Sequence, residues 1–217
     1  MDTKKLIGYI GLGIISAMII VVILLSVIPV KGKYSPHFEK PTQQITISKY
    51  DNNQEMSYSM EASNESKAEN FNKVLTELNK LGNYTVMQSL FLGLSNVDTS
   101  IKYGKTKTFT SLHQMKEVKE GYAGYLIELS YSEPQTLKNV DGSEYIIQDE
   151  NQGNVGENVK YTKLAIFVDD RNEITEYDVW VKTSTSNGGY SYYRYTAYAN
   201  VKTLYDLAKS FKLSASL

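Results

Sequence analysis

The chain has no cysteine and only two histidines among its 217 residues. Without cysteine there is no disulfide, no thiol nucleophile, no thiolate metal site and no cysteine to carry a lipid, a composition that fits either side of a bacterial membrane. His37 and His113 each lack a second ligand at metal-binding spacing. We therefore expect no metal site and no cofactor.

Neither sign of charge dominates, because 23 lysines and arginines are interspersed with 24 aspartates and glutamates. No basic face suggests nucleic acid, so we expect no nucleic-acid partner. Motifs for catalysis are also missing: no serine stands in a G-x-S-x-G or S-x-x-K pattern. Gly8, Gly11 and Gly13 lie in an apolar run and not in a phosphate-binding loop. The sequence thus provides no catalytic residue by motif.

One long apolar run, Leu6 to Val30, contains no charged side chain. As a helix it would span roughly 37 Å, more than the ~30 Å hydrocarbon core of a bilayer. A cleaved signal peptide is the alternative, since Lys4 and Lys5 form a basic head. The run is longer than the usual apolar region of about 7 to 15 residues, and no small-x-small cleavage pattern follows it. We predict an uncleaved signal anchor, with residues 1–5 as its head, that binds the lipid bilayer through 6–30.

The direction of the anchor rests on conflicting signals. The lysine count slightly favours a cytoplasmic domain, because the far flank carries Lys31, Lys33, Lys40 and Lys49. A short basic head before a long apolar run is, however, how an export signal begins, and large domains translocate largely regardless of charge. The abundance of Lys, Ile, Asn and Tyr favours a bacterium. We expect an extracytoplasmic domain in a bacterial cell envelope.

Two small residues, Gly13 and Ala17, are spaced so that a second membrane helix can approach closely. This spacing predicts self-association through the membrane helix. The alternative is that glycine is simply common in membrane helices.

For the chain after the apolar run, the sequence predicts a polar tether over 31–44 and one α+β domain over 45–217. Alternation in 45–50 and 55–60 predicts a hairpin, and 163–168 with 174–183 predict a second one that continues into a last strand. We expect a mainly antiparallel, meander-type sheet with two to four helices packed on one face.

Helical spacing of Phe71, Val74 and Leu78 predicts a helix that Ser66 caps together with Glu69. A final helix is predicted after a Thr203 cap, with a short helix over 111–120. Residues 83–94 fit either a short helix, capped by Thr85 with Gln88, or a buried strand.

The segment 139–158 predicts a flexible loop. Its start resembles a calcium loop, but Asn154 and Lys160 occupy two defining positions. A solvated loop is favoured over a weak calcium site formed by Asp149, Glu150 and Glu157.

Three carboxylates stand out as candidates for the acid and base of a polymer hydrolase. Asp169 and Asp170 are better explained as residues of a hairpin turn. Glu128 lies opposite the apolar parity of its strand and is predicted to face water.

Tyrosine is abundant, with 18 residues against six Phe and one Trp. Alternation along the last strand places one set on a single face, which we predict to bind a partner: Tyr190, Tyr192, Arg194 and Tyr198. Ordinary cross-strand pairing is the alternative.

These patterns favour a non-enzymatic binding or complex-assembly module, with a protein or polymer as its partner. The first alternative is a hydrolase of cell-wall or surface polymers with paired carboxylates. The second follows from a layout of basic head, apolar helix and α+β body that resembles the type IV pilins. In that comparison Gly8 fits the glycine before the processed helix, but Gly13 replaces the glutamate and Pro29 would break the helix.

Overall fold

A computed structural model describes residues 3–30, 42–51, 54–81, 84–87, 101–103, 124–137, 144, 146–148, 155–171, 173–183 and 191–215. In this part of the chain, three α-helices and twelve β-strands follow one another, with a 3-10 turn at Glu65–Lys67. The helices are α1 (Thr3–Val27), α2 (Ala68–Leu78) and α3 (Lys202–Ser210). The strands are β1 (Pro29–Val30), β2 (Thr42–Asp51), β3 (Gln54–Glu61), β4 (Tyr84–Thr85), β5 (Ile101–Tyr103), β6 (Gly124–Thr136), β7 (Ile146–Gln148), β8 (Val155–Asn158), β9 (Lys160–Asp169), β10 (Glu173–Thr183), β11 (Ser191–Asn200) and β12 (Ser214–Ala215).

The main sheet has eight strands in the order β12-β3-β2-β6-β9-β10-β11-β5, and every neighbouring pair is antiparallel. Six of these strands are long, while β5 and β12 are short edge strands. The β2–β3 hairpin and the β9–β10–β11 meander confirm the predicted local pairings. Two-stranded ladders, β1–β4 and β7–β8, lie outside the sheet.

Apolar side chains form a continuous row across five strands. Ile45 lies between Met60 and Leu129 in the ladder, and the row continues through Leu164 to Val181. All five side chains have no accessible surface. Since facing side chains on adjacent strands are in contact, this row ties the middle of the sheet together.

A second row runs parallel to the first. Ile47 pairs with Tyr58 on one side and Ile127 on the other, and Ile127 pairs with Ile166. The three isoleucines are buried and Tyr58 is half-buried. Its ring stacks on Phe211, just after α3, with centroids 5.2 Å apart.

Helices α2 and α3 cover this face of the sheet and contact each other. The buried side of α2 carries Phe71, Val74 and Leu78, and that of α3 carries Leu204 and Ala208, all within the same core as the strand rows. The sequence periodicity therefore identified the correct faces. The structure confirms an α+β fold with an antiparallel sheet and helices on one side.

Both predicted helix caps are wrong. A 3-10 turn, Glu65–Lys67, precedes α2, and the side chain of Asn64 caps it by accepting a hydrogen bond from the Ser66 backbone N–H. Ser66 therefore lies inside this turn and is not the cap. At the last helix the N-cap is Val201, with no side-chain cap, and Thr203 lies inside the first turn. Thr203 is exposed there.

Several predicted boundaries also differ. The apolar helix ends at Val27, before Pro29, and β2 begins at Thr42, inside the predicted tether. The predicted loop over 139–158 contains the β7–β8 ladder. Residues 84–85 form a strand and 86–87 a helical turn, while the predicted helix at 111–120 lies outside the described residues.

Gly124, at the start of β6, lies where the β6 and β9 backbones approach closely. A β-carbon there would lie 2.4 Å from the carbonyl oxygen of Val168 and 2.5 Å from a ring carbon of Phe167. Only glycine fits without displacing a neighbour. The pairing of Gly124 with Asp169 at the end of this ladder therefore requires a residue without a side chain.

Candidate functional site

The most conspicuous surface of the molecule is α1. Within it, Ile7–Val27 has a mean hydropathy of 2.9, and none of it is buried against the rest of the protein. Apart from the half-buried Leu25, its large apolar side chains, together with Ile28, are between 46% and 68% exposed. A soluble protein does not leave so large an apolar surface in water. The helix is long and apolar enough to span a membrane.

Gly13 and Ala17 both lie in this helix, one turn apart. A β-carbon added at Gly13 would meet no atom within 4 Å, and the same holds for Gly8 and Gly11. Within the described part of the chain the small-residue face is therefore not covered, and self-association through it stays a prediction.

The chain leaving α1 pairs at once with a distant segment. Pro29 pairs with Thr85 and Val30 with Tyr84 in the β1–β4 ladder. The Val86 backbone N–H donates to the Ile28 carbonyl oxygen over 3.2 Å. Sequence patterns missed this contact, because two-residue strands carry no periodicity and their partners are far apart in the chain.

The tyrosine-rich strand β11 lies next to this ladder, since β4 contacts both β11 and α1. The backbone register places Tyr192 opposite Trp180, and Arg194 between Asp178 and Lys102. Tyr198 belongs to the same strand, but the β10–β11 register shifts between Thr196 and Ala199, so the simple alternation that groups Tyr198 with Arg194 is interrupted there. Tyr190 lies outside the described residues, so the predicted four-residue surface is placed only in part.

The sheet face away from the helices carries polar groups at its centre. Glu128 lies here, as its parity predicts, but its side chain is only 14% exposed and forms an ion pair of 2.7 Å with Lys163. The expectation that Glu128 faces water is therefore corrected. Burial raises the pKa of Glu55, and the negative charge of Glu128 raises it further. On the same face, the hydroxyl groups of Thr46 and Ser59 are 3.0 Å apart.

Asp169 and Asp170 lie at the β9–β10 turn. The Asp169 side chain is 2% exposed and accepts hydrogen bonds from the backbone N–H and the Nε of Arg171, at 3.0 and 2.9 Å. Asp170 is exposed. A carboxylate held this way fixes the turn, which agrees with the structural role expected from the sequence.

One buried polar pair is unusual. The hydroxyl groups of Thr42 and Tyr131, which lie opposite each other in the β2–β6 ladder, are both buried, and in the described part of the chain each has only the other as a potential partner. The Tyr131 ring packs edge-on against Tyr161, with centroids 5.6 Å apart. Burial raises the pKa of Tyr131 and raises that of Tyr161 to about 12. This cluster is a feature of stability and offers no open site.

A shallow groove separates α2 from α3 on the surface. Its lining residues are charged or polar except for Leu207: Glu69, Asn72, Lys73, Thr76, Glu77, Thr203 and Leu207. Glu69 forms an ion pair with Lys73 within α2, and Glu77 forms one with Lys80, just after the end of α2. These pairs join neighbouring positions on the exposed side of α2 and do not converge on a common point.

Among the described residues, no group of three or more His, Asp or Glu side chains could hold a metal ion. The weak calcium site considered for 149–157 depends on Asp149 and Glu150, which lie outside those residues, as do His37 and His113. No family model, curated protein or solved structure matches this chain.

Proposed function

We propose that the protein is a single-pass membrane protein of a bacterial cell envelope, and that its extracytoplasmic α+β domain is a non-enzymatic binding or complex-assembly module. The observation that carries this proposal is α1. Its large apolar side chains are mostly exposed, none of them is buried, and β4 is the main described element that touches the helix. A bilayer is the environment that buries such a surface.

The binding role is supported by how the charged groups are used. Glu128 forms an ion pair with Lys163 and Asp169 forms one with Arg171, so two of the three carboxylates that stood out in the sequence are held in structural pairs, and the third, Asp170, is exposed at the β9–β10 turn. The tyrosine-rich β11 is close to the sheet edge, with only the short β5 beyond it. Tyrosine offers a large contact area with a polar tip, which suits recognition of a protein or a polymer.

The membrane part of the proposal is tested by placing charge in the helix. In the double variant Ile15→Lys/Ile19→Lys, each lysine at the centre of a bilayer costs about 2.5–3.5 kcal/mol. We expect the native chain to stay with membranes during extraction with alkaline carbonate, and the variant to be released. Asn72→Lys/Thr76→Lys, at exposed positions of α2, is the matched control and should stay with membranes. Release of the native chain would contradict the proposal.

Protease added to spheroplasts tests on which side of the membrane the domain lies. An extracytoplasmic domain is digested, whereas a cytoplasmic domain is protected.

The binding part is tested by the triple variant Tyr190→Ser/Tyr192→Ser/Tyr198→Ser. We expect it to keep its fold, measured by circular dichroism, and to lose the envelope protein or polymer that co-purifies with the tagged native chain. Thr76→Ser/Asn72→Ser on α2 is the control for substitution at exposed positions and should retain the partner. Unchanged capture by the triple variant would show that β11 does not bind it.

A further inference from the structure

We propose that the domain is seated directly on the bilayer, with β4 and the turn at Val86 and Met87 lying in the lipid headgroup layer. This inference rests on the proposed crossing of the membrane by α1. It adds a second contact with lipid, made by a segment far from α1 in the sequence.

The depth of the contact follows from the length of the helix. Ile7–Val27 has 21 residues. At 1.5 Å per residue they span about 31 Å, which matches the ~30 Å hydrocarbon core, so Val27 lies at its boundary. The headgroup layer on each side is about 5–7 Å thick, and at about 3.3 Å per extended residue Ile28 and Pro29 lie within it, while Val30 reaches its outer edge.

The ladder then fixes the depth of β4. Because β1 leaves the membrane and β4 is antiparallel to it, β4 runs back toward the bilayer. Val86, whose N–H donates to the Ile28 carbonyl oxygen, is level with Ile28, while Tyr84, opposite Val30, lies farther out. Paired strands are only about 4.8 Å apart, so β4 stays at the depth of β1 as long as the two strands are paired.

The order of residue types matches the polarity of the bilayer. Val86 and Met87, which lie nearest the hydrocarbon boundary, are apolar and only half-buried by the protein. Tyr84 lies two residues outward, opposite Val30 at the outer edge of the headgroup layer, and tyrosine is enriched at the membrane–water interface of membrane proteins. Ile28 is 46% exposed at the same level.

The contact also links the anchor to the main sheet, since β4 touches both α1 and β11. The domain is therefore not lifted away from the membrane by the segment over 31–44. A partner that binds β11 must approach close to the lipid surface.

The absence of cysteine makes this arrangement directly testable. Single-cysteine variants of the full chain, Ile15→Cys, Met87→Cys and Asn72→Cys, are labelled with a nitroxide and reconstituted in vesicles of phosphatidylcholine and phosphatidylglycerol. Power-saturation measurements compare collisions with oxygen, which partitions into lipid, and with a nickel chelate, which stays in water. Asn72 is exposed on α2, which packs on β3 at the sheet edge away from β11.

We expect the ratio of oxygen to nickel collisions to be highest at Ile15 and several-fold higher at Met87 than at Asn72. A Met87 ratio equal to that of Asn72, with Ile15 still in lipid, would overturn the seating alone. A water-exposed Ile15 would overturn the proposed membrane crossing itself. Shielding of Met87 from both reagents would show that protein, such as a second copy of the chain, covers it, and would also overturn the seating.

The ladder is tested separately by the double variant Val30→Cys/Tyr84→Cys in the same vesicles. Facing residues on antiparallel strands have β-carbons about 4.5–5.5 Å apart, close enough for a disulfide after mild oxidation. We expect this pair to cross-link and the control pair Val30→Cys/Asn72→Cys not to. Failure of the first pair to cross-link would overturn the proposal, whatever the depth of Met87.

Discussion

Replacing Leu129 with alanine is expected to lower the free energy of unfolding by about 2 to 5 kcal/mol. Leu129 lies on β6 between Ile45 and Leu164, in the middle of the row that joins five strands, and its side chain has no accessible surface. The truncation leaves a cavity that both neighbouring strands border. Because their backbones are fixed by two hydrogen-bonded ladders, the site cannot easily collapse to fill it.

The measurement is urea unfolding of the full chain in detergent micelles, followed by the fluorescence of Trp180, the only tryptophan of the protein. Ser132→Ala is the matched control, since Ser132 is exposed on the same strand and its change should alter stability by no more than about 0.5 kcal/mol. A loss below about 1 kcal/mol for the Leu129 variant would mean that this row is not packed as described.

Local patterns predicted much of the fold. Alternation along 45–50 and 55–60 marks a hairpin whose turn is only two residues long, and the spacing of Phe71, Val74 and Leu78 marks the buried face of α2. Such signals lie within one element or between neighbours, where the period of the side chains is fixed by the backbone. The predicted Ser66 cap of α2 was wrong because Asn64 and Ser66 are both good cap residues, and the structure places Asn64 at the start of a 3-10 turn that leads into α2, whose own N-cap, Lys67, makes no side-chain cap hydrogen bond.

Long-range pairing left no comparable signal. Strand β6 inserts between β2 and β9, so that Ile127 meets Ile47 on one side and Ile166 on the other. The alternation along β6 shows that one face is buried but not which strands lie beside it, because any other strand with an apolar face could pair with it equally well. The β1–β4 ladder is a stronger case, because strands of two residues are too short to show alternation at all.

The candidate site shows the same difference between local features, which the sequence predicts, and long-range contacts, which it does not. The sequence identified the apolar helix and the tyrosine-rich strand from composition alone. It did not predict that β4 connects them, nor that Glu128 is held by Lys163, 35 residues along the chain. Parity placed Glu128 on the correct face, but the burial of that face near β9, where Ala165 has no accessible surface, depends on tertiary packing.

The second large effect is expected at alkaline pH. Tyrosine ionises near pH 10 in an unfolded chain, whereas burial raises the pKa of Tyr161 to about 12 and raises that of Tyr131 as well. The unfolded state therefore loses these protons first, and the stability that the neutral tyrosines contribute is present below pH 10 and lost as the pH rises above it. At 1.36 kcal/mol per pKa unit, each residue should lose about 1.4 kcal/mol by pH 11.

Urea unfolding of the full chain at pH 8 and pH 11 tests this loss, and the comparison with Tyr161→Phe isolates one residue from the other titrating groups. The variant should lose about 1.4 kcal/mol less than the native chain over this range. Tyr131→Phe should lose less by a similar amount, because it removes the other buried group whose pKa is raised. Equal losses in all three proteins would show that the two rings are open to water, since an exposed tyrosine ionises alike in the folded and unfolded states.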